Sequence, residues 1–297
     1  MMGYSHAMTG AAGWLAVTST SSMALGIYNP GPGTVVLAGT MYCAGTAMAP
    51  DADHGQASIA HSLPPLTRWM AEGIGKVSGG HRHGTHSFIG IIAFTVFAYL
   101  MSFWVMDIND RDVAMGSGLI AIFLFAFATK TFGLHRSIGN GIVGDILGSA
   151  IGPWIMALGT AGIATYYLDE RWEWLPICMA LGTFIHVLGD GLTVQGVPWL
   201  WPWNPKPPQW VKNNPILKQL WLPNGYFRLP LLGRTGGSEA KEGGLKWGSI
   251  FGGRRKRGGR HKTSWQETLF ITLVTVYVIY LVVYEVADLL GAPGMLS

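Results

Sequence analysis

FIGIIAFTVFAYLMSFWVM, residues 88–106, decides the fold. It runs for 19 residues without a charge, and a helix rising 1.5 Å per residue needs about 20 mainly apolar residues to cross a bilayer core. Similar runs lie at 114–132, 142–168, 175–188 and 269–290. Two more, 7–27 and 34–48, are rich in Gly, Ala, Ser and Thr, which suit close helix packing better than contact with lipid. No Lys or Arg precedes the first of these, so it does not read as a signal peptide. The run at 175–188 is short, and a buried helix of a soluble core is its alternative reading. The expectation is an all-α, polytopic helical membrane protein with about seven transmembrane helices.

Composition agrees. Charged residues make up 12% of the 297, against about 25% in an average soluble domain. The apolar content excludes a disordered chain, and two cysteines exclude a small disulfide scaffold. Cys43 and Cys178 read as buried reduced thiols. The net charge of +4 hides a split: residues 204–264 hold 13 basic and 2 acidic residues, net +11, and the rest of the chain is net −7. Lys and Arg collect in cytoplasmic loops, so this segment, with Arg254, Arg255, Lys256, Arg257, Arg260 and Lys262, belongs inside. Counting back, the N-terminus and the loop 50–87 are also inside. The acidic loops around Asp107, Asp110 and Asp112, and around Asp169, Glu170 and Glu173, are outside, as is the C-terminus.

Three regions follow: a membrane domain at 1–203, a basic Trp/Pro/Gly-rich cytoplasmic segment at 204–264, partly disordered, and a C-terminal transmembrane helix at 265–297. Trp199, Trp201, Trp203, Trp210 and Trp221 suit a belt at the membrane interface. The run from Arg254 to Lys262 could neutralise nucleic-acid phosphates, but no base-reading fold accompanies it. Anchoring on anionic membrane lipids is the preferred reading; no specific nucleic-acid partner is expected, and the sequence is silent on oligomeric state.

Eight of the nine histidines precede the basic segment, and all eight fall on the cytoplasmic side of this topology. His6 opens the first run. Asp51, Asp53 and His54 follow the second. His81, Arg82, His83, Thr85, His86 and Ser87 lead into the third, where a solvated turn has no need of three histidines in six residues. His186 and Asp190, four apart, share a helix face at the inner end of the sixth, and ionisable groups at membrane depth are usually functional. Imidazole and carboxylate are the usual ligands of zinc and related divalent ions. Ser87 reads as a helix cap rather than a nucleophile.

These blocks, with 2–12 around His6, Pro50 to His54, His81-Arg82 with Thr85 to Ser87, and His186 to Thr193, resemble in order and spacing the YdjM-like family of bacterial inner-membrane proteins, predicted metal-dependent hydrolases. Residues 196–202 look like the family's continuation. The chain departs from the pattern at His83, where the family usually has Gly. The resemblance implies a membrane-bound hydrolase of the inner membrane. Asp51, Asp53, His86, His186 and Asp190 are the first-choice ligands of a divalent ion on the cytoplasmic face, zinc first and manganese second. His54, His81 and His6 come next. Arg82 is suited to an anionic substrate oxygen, and Asp53 and His81 complete the catalytic set, with a phosphoester the favoured substrate. The alternative is a metal-binding protein or ion transporter without hydrolysis, for which Asp145 is the residue of interest. Roles for His83, His135, Asp145 and Glu239 stay open.

Overall fold

The computed structural model describes residues 3–54, 60, 65–134, 151–167, 172–232 and 264–291. Its helices are α1 (Gly3–Thr18), α2 (Gly33–Thr46), α3 (Leu66–Val77), α4 (Phe88–Ser102), α5 (Met115–Phe132), α6 (Gly152–Tyr167), α7 (Trp174–Gly191), α8 (Gln209–Asn213), α9 (Leu217–Leu220) and α10 (Trp265–Leu289), with single 3-10 turns at Pro50–Asp53 and Gly84–His86. Among the described residues one pair of strands, β1 (Met106–Asp107) and β2 (Asp112–Val113), runs antiparallel. Asn109 and Asp110, both at positive φ (57° and 58°), turn the chain between them, the backbone twist that two-residue hairpins favour. The chain expected to be all-α thus carries a small hairpin in the loop of Asp107, Asp110 and Asp112.

Helices α5, α7 and α10 are long and apolar enough to cross a membrane. α4, at 15 residues, is a shorter apolar helix. α1 and α6 have 16 residues and α2 has 14, which at 1.5 Å per residue is about 21–24 Å, less than a hydrocarbon core of about 30 Å. Among the described residues three helices thus have the length and apolar content of a span, and the other expected spans correspond to the shorter α1, α2, α4 and α6 packed among them. The shortening has local causes. The run 7–27 stops being helical at Thr18, and the following Ser, Asn, Pro and Gly form an irregular connection to Pro32. α2 ends at Thr46, shortly before Pro50 opens a 3-10 turn. Of the run 142–168, residues 142–150 lie outside the described residues. The short run 175–188 extends at both ends into the 18-residue α7.

The centre of the bundle is α1 and α2, packed on each other and on α7, with α5 against α2, α4 against α7, α6 against α5 and α10 against α1. Small residues make the close approaches. A Cβ on Gly45 would fall on the Leu124 backbone, and one on Gly182 would meet Thr46. Trp14, fully buried, donates from Nε1 to the Val36 carbonyl at 2.9 Å. Cys43 and Cys178 are free and buried.

Residues 192–232 fold back over the end of α7. Leu229 N–H donates to Gly191 O at 2.7 Å, Val197 and Phe227 form a bridge, and the Phe88 N–H that opens α4 donates to Trp199 O at 3.0 Å. Residues 233–263, which include the Arg254–Lys262 run and Glu239, lie outside the described residues, as do His61, His135 and Asp145.

Candidate metal centre

Four stretches of chain meet at one end of the bundle: the start of α1, the turn after α2, the turn before α4 and the end of α7. Each arrives for a local reason. Pro50, at the first position of its 3-10 turn, presents Asp51 and Asp53 in succession. Ser87 caps α4, its Oγ accepting from Gly90 N–H at 3.2 Å and donating to Gly84 O at 2.6 Å, which pins the turn that carries Thr85 and His86. His186 and Asp190 face inward from the last turns of α7, both fully buried.

His86 and His186 point at each other, Nε2 to Nε2, at 3.2 Å. Asp51 Oδ1 is 3.7 Å from each of these nitrogens, and Asp190 Oδ2 is 3.6 Å from His86 and 4.0 Å from His186. A tetrahedral ion with ligands at 2.0–2.1 Å has ligand atoms about 3.3–3.4 Å apart, close to these separations. The partners of the two rings fix which nitrogen is available. The Ala47 carbonyl, 2.6 Å from His186 Nδ1, can only accept, so the proton sits on Nδ1 and Nε2 carries the lone pair. Thr85 Oγ1 donates its one proton to Asp53 Oδ2, so toward His86 Nδ1, at 2.9 Å, it accepts; the neutral His86 ring likewise aims a lone pair from Nε2. Two facing lone pairs need a cation or a proton between them. The group Asp51–His86–His186, with Asp51 half-buried, and the fully buried group His6–His186–Asp190 could each hold a metal ion.

Burial alone would lower the His86 pKa, but hydrogen bonds to Asp51 and Asp53 and the charge of Asp190 outweigh it and raise it to about 9. Burial would raise the Asp51 and Asp53 carboxyls; the facing histidines reverse this and hold both below the usual carboxylate range.

His6 stacks on His186, ring centroids 3.8 Å apart, and its Nε2 meets Asp190 Oδ1 at 3.2 Å; its buried Nδ1 has no hydrogen-bond partner among the described residues. Asp53 stands behind the converging atoms. Its Oδ1 accepts from His81 Nδ1 at 2.8 Å, and its Oδ2 accepts from the Arg82 N–H at 3.1 Å and from Thr85 Oγ1. It belongs to neither ligand group and orients His81 and the turn that bears His86. His54 stacks on His81 with centroids 4.4 Å apart and also stays outside both groups. Arg82, at positive φ (60°), turns its side chain inward, Nη2 on Asp190 Oδ2 at 2.8 Å. Its buried Nη1 has no hydrogen-bond partner among the described residues. His83 points away, with Nδ1 2.9 Å from the His81 carbonyl and its ring edge-on to Tyr226.

Some participants carry no signal in the sequence. The Ala47 carbonyl sets the His186 tautomer, and a backbone oxygen leaves no trace in residue type. Tyr226 Oη donates to Arg82 O at 3.3 Å from 144 residues away. Ser5, next to His6, donates to buried Glu267 at 2.8 Å, tying α1 to the first turn of α10. An acid at the mouth of the last apolar run was the available clue to that tie, but the run was expected to begin at 269.

No curated protein and no solved structure matches the chain. The family model described as YdjM inner membrane protein matches residues 1–287, and with that match over nearly the whole length the chain belongs to the YdjM inner-membrane family.

Proposed function

We propose that the protein is a membrane-bound, metal-dependent hydrolase that cleaves an ester at the cytoplasmic face of the inner membrane, with a phosphoester the favoured substrate and zinc, then manganese, the favoured ion. The observation that carries the reading is the meeting of His86 and His186 Nε2 with Asp51 and Asp190 oxygens beside a guanidinium nitrogen that has no hydrogen-bond partner among the described residues. A divalent ion held by such groups lowers the pKa of bound water to about 7 and polarises the ester oxygen.

The protein's own groups do the rest. The Ala47 carbonyl and Thr85 keep the protons of His186 and His86 on Nδ1, so both Nε2 atoms face inward ready to ligate. Arg82 holds Asp190 with Nη2 and offers Nη1 to an anionic substrate oxygen; paired guanidinium hydrogen bonds suit phosphate better than a neutral ester. His81 keeps its proton on Nδ1 toward Asp53, which leaves Nε2 as the atom that takes a proton during the reaction. Its side chain is 35% exposed, so that proton can pass to solvent. The cytoplasmic assignment rests on the net +11 of residues 204–264.

The test is metal analysis of purified parent protein and of His86→Ala, His186→Ala and Asp190→Ala, followed by assays on phospholipid and soluble phosphoesters with and without chelator. The reading expects each variant to lose the ion, and activity to vanish with chelator and return with zinc. Variants that bind metal as the parent does overturn the site. Metal bound without hydrolysis of any ester overturns the enzyme and leaves a metal-binding membrane protein.

A further inference from the structure

Helix α3 lies between the two turns that carry the site and has three faces. One is buried: Thr67 and Ala71 point inward, and a Cβ on Gly75 would press on the Asp53 carbonyl. The next, about 100° of arc further round, is polar, with Arg68, Glu72 and Lys76 exposed and Arg68 Nε on Glu72 Oε1 at 3.0 Å. The third is apolar and uncovered among the described residues. Leu66, Trp69, Met70 and Val77 form a stripe at helical spacing, with Trp69 65% and Val77 85% exposed. A helix with Lys and Arg on one side and Trp and Leu on the other is the pattern of a helix lying in a membrane surface.

What covers that stripe follows from its position. α3 packs on the Pro50–Asp53 turn, that turn on Gly84–His86, and the latter runs through Ser87 into the first turn of α4. There Phe88, Ile89 and Ile92 are exposed, which in an inner-membrane protein is surface facing lipid. The α3 stripe and the exposed start of α4 thus lie at the same end of the bundle, the end that holds the candidate site, joined through the two 3-10 turns.

We propose that α3 is an in-plane membrane helix whose Leu66, Trp69, Met70 and Val77 face sits in the acyl layer of the bilayer that the bundle crosses, with Arg68, Glu72 and Lys76 toward water. Because α3 braces the Asp53 turn, this seating sets the metal centre at the lipid surface. Resting on the hydrolase reading, the substrate it would take is a phosphoester carried by a lipid.

Spin labels on cysteines introduced one at a time at positions 68, 69, 70, 72, 76 and 77 test the helix in the full-length protein, reconstituted into phosphatidylethanolamine–phosphatidylglycerol vesicles. Cys43 and Cys178 stay in place, and labelled parent protein serves as the background. Collisions with oxygen should exceed those with a water-soluble nickel chelate at 69, 70 and 77, and the order should reverse at 68, 72 and 76. Equal access to the nickel chelate all round the helix overturns the proposal. So does protection from both reagents at 69, 70 and 77, which would mean that protein, another part of the chain or a second copy, covers the stripe. Neither result depends on metal or activity, so failure here is separate from failure of the hydrolase. A distinct arm compares a phospholipid with a soluble phosphoester of the same headgroup in parent protein and in Trp69→Ser. Selective loss on the lipid supports the lipid-borne substrate, and equal loss on both overturns it.

Discussion

At the residue scale, Asp53, which lies outside both candidate ligand groups, holds the groups around it in place. It accepts from His81, from the Arg82 backbone and from Thr85, and through Thr85 it decides which His86 nitrogen faces the ligand cluster. Removing such a supporting group commonly costs 10–100-fold in metal affinity. Asp53→Asn should therefore weaken zinc binding by about 10–100-fold without abolishing it, as read by competition with a chromogenic chelator; unchanged affinity would remove Asp53 from this role. His86 adds a pH dependence. Its pKa is raised from 6.5 to about 9 in the metal-free fold, so the stabilisation from its protonated pairings is complete below about 6.5 and fades as pH climbs through 9. Metal needs the neutral ring and displaces that proton. Affinity should climb with pH, by up to about tenfold per unit for one proton, and level off above 9. Titration calorimetry in buffers of different ionisation enthalpy would detect the released proton, and an affinity flat from pH 6.5 to 9 would contradict the assignment.

Among the elements, the contact of α2 with α5 relies on what is missing from a side chain. Gly45 lies where a Cβ would enter the Leu124 backbone, which cannot give way as a flexible side chain could. Gly45→Ala should destabilise the protein by about 1–3 kcal/mol, the usual cost of overpacking. Gly159→Ala on α6, with nothing within 4 Å of the added carbon, is the matched control and should be neutral or stabilising by up to about 1 kcal/mol. Thermal unfolding in detergent distinguishes them; equal midpoints would mean that the α2–α5 approach does not limit stability. The Gly/Ala/Ser/Thr content of these early runs was readable as close packing, but which glycine meets which neighbour was not, because that depends on the relative rotation of two helices.

For the whole molecule, the centre joins segments far apart in the chain: His6, Asp51, His86 and Asp190 come from four different stretches. An ion held there ties α1, the turn after α2, the turn before α4 and α7 into one unit. Bound metal should raise the unfolding midpoint, by about 2.7 kcal/mol of stabilisation at a free concentration 100 times the dissociation constant. Chelator should reverse the gain, and His86→Ala should be insensitive to both. A midpoint indifferent to metal in the parent protein would show that the cluster does not bind an ion in the folded state.

The membrane character was legible in local chemistry: a low share of charge and long apolar runs, of which 114–132, 175–188 and 269–290 correspond to helices long and apolar enough to cross a membrane. Residue type also named the candidate donors, a group of His and Asp at the ends of apolar runs, and the charge split led to the expectation that those ends share one side. The helix bounds were another matter. Hydropathy averages over a window and cannot see where Thr18 or Thr46 ends a helix, so the ends of α1 and α2 came only from the structure. Tertiary structure also sorted the donors. It set Asp51, His86, His186 and Asp190 around one point, His6 against the far oxygen of Asp190, and Asp53 and His54 behind. It turned Arg82 onto Asp190, left α3 with an apolar stripe beside the site, and supplied Ala47's carbonyl and Tyr226 from parts of the chain with no motif. Those outcomes depend on distances between residues far apart in sequence, such as His6 and Asp190, and such distances come from packing.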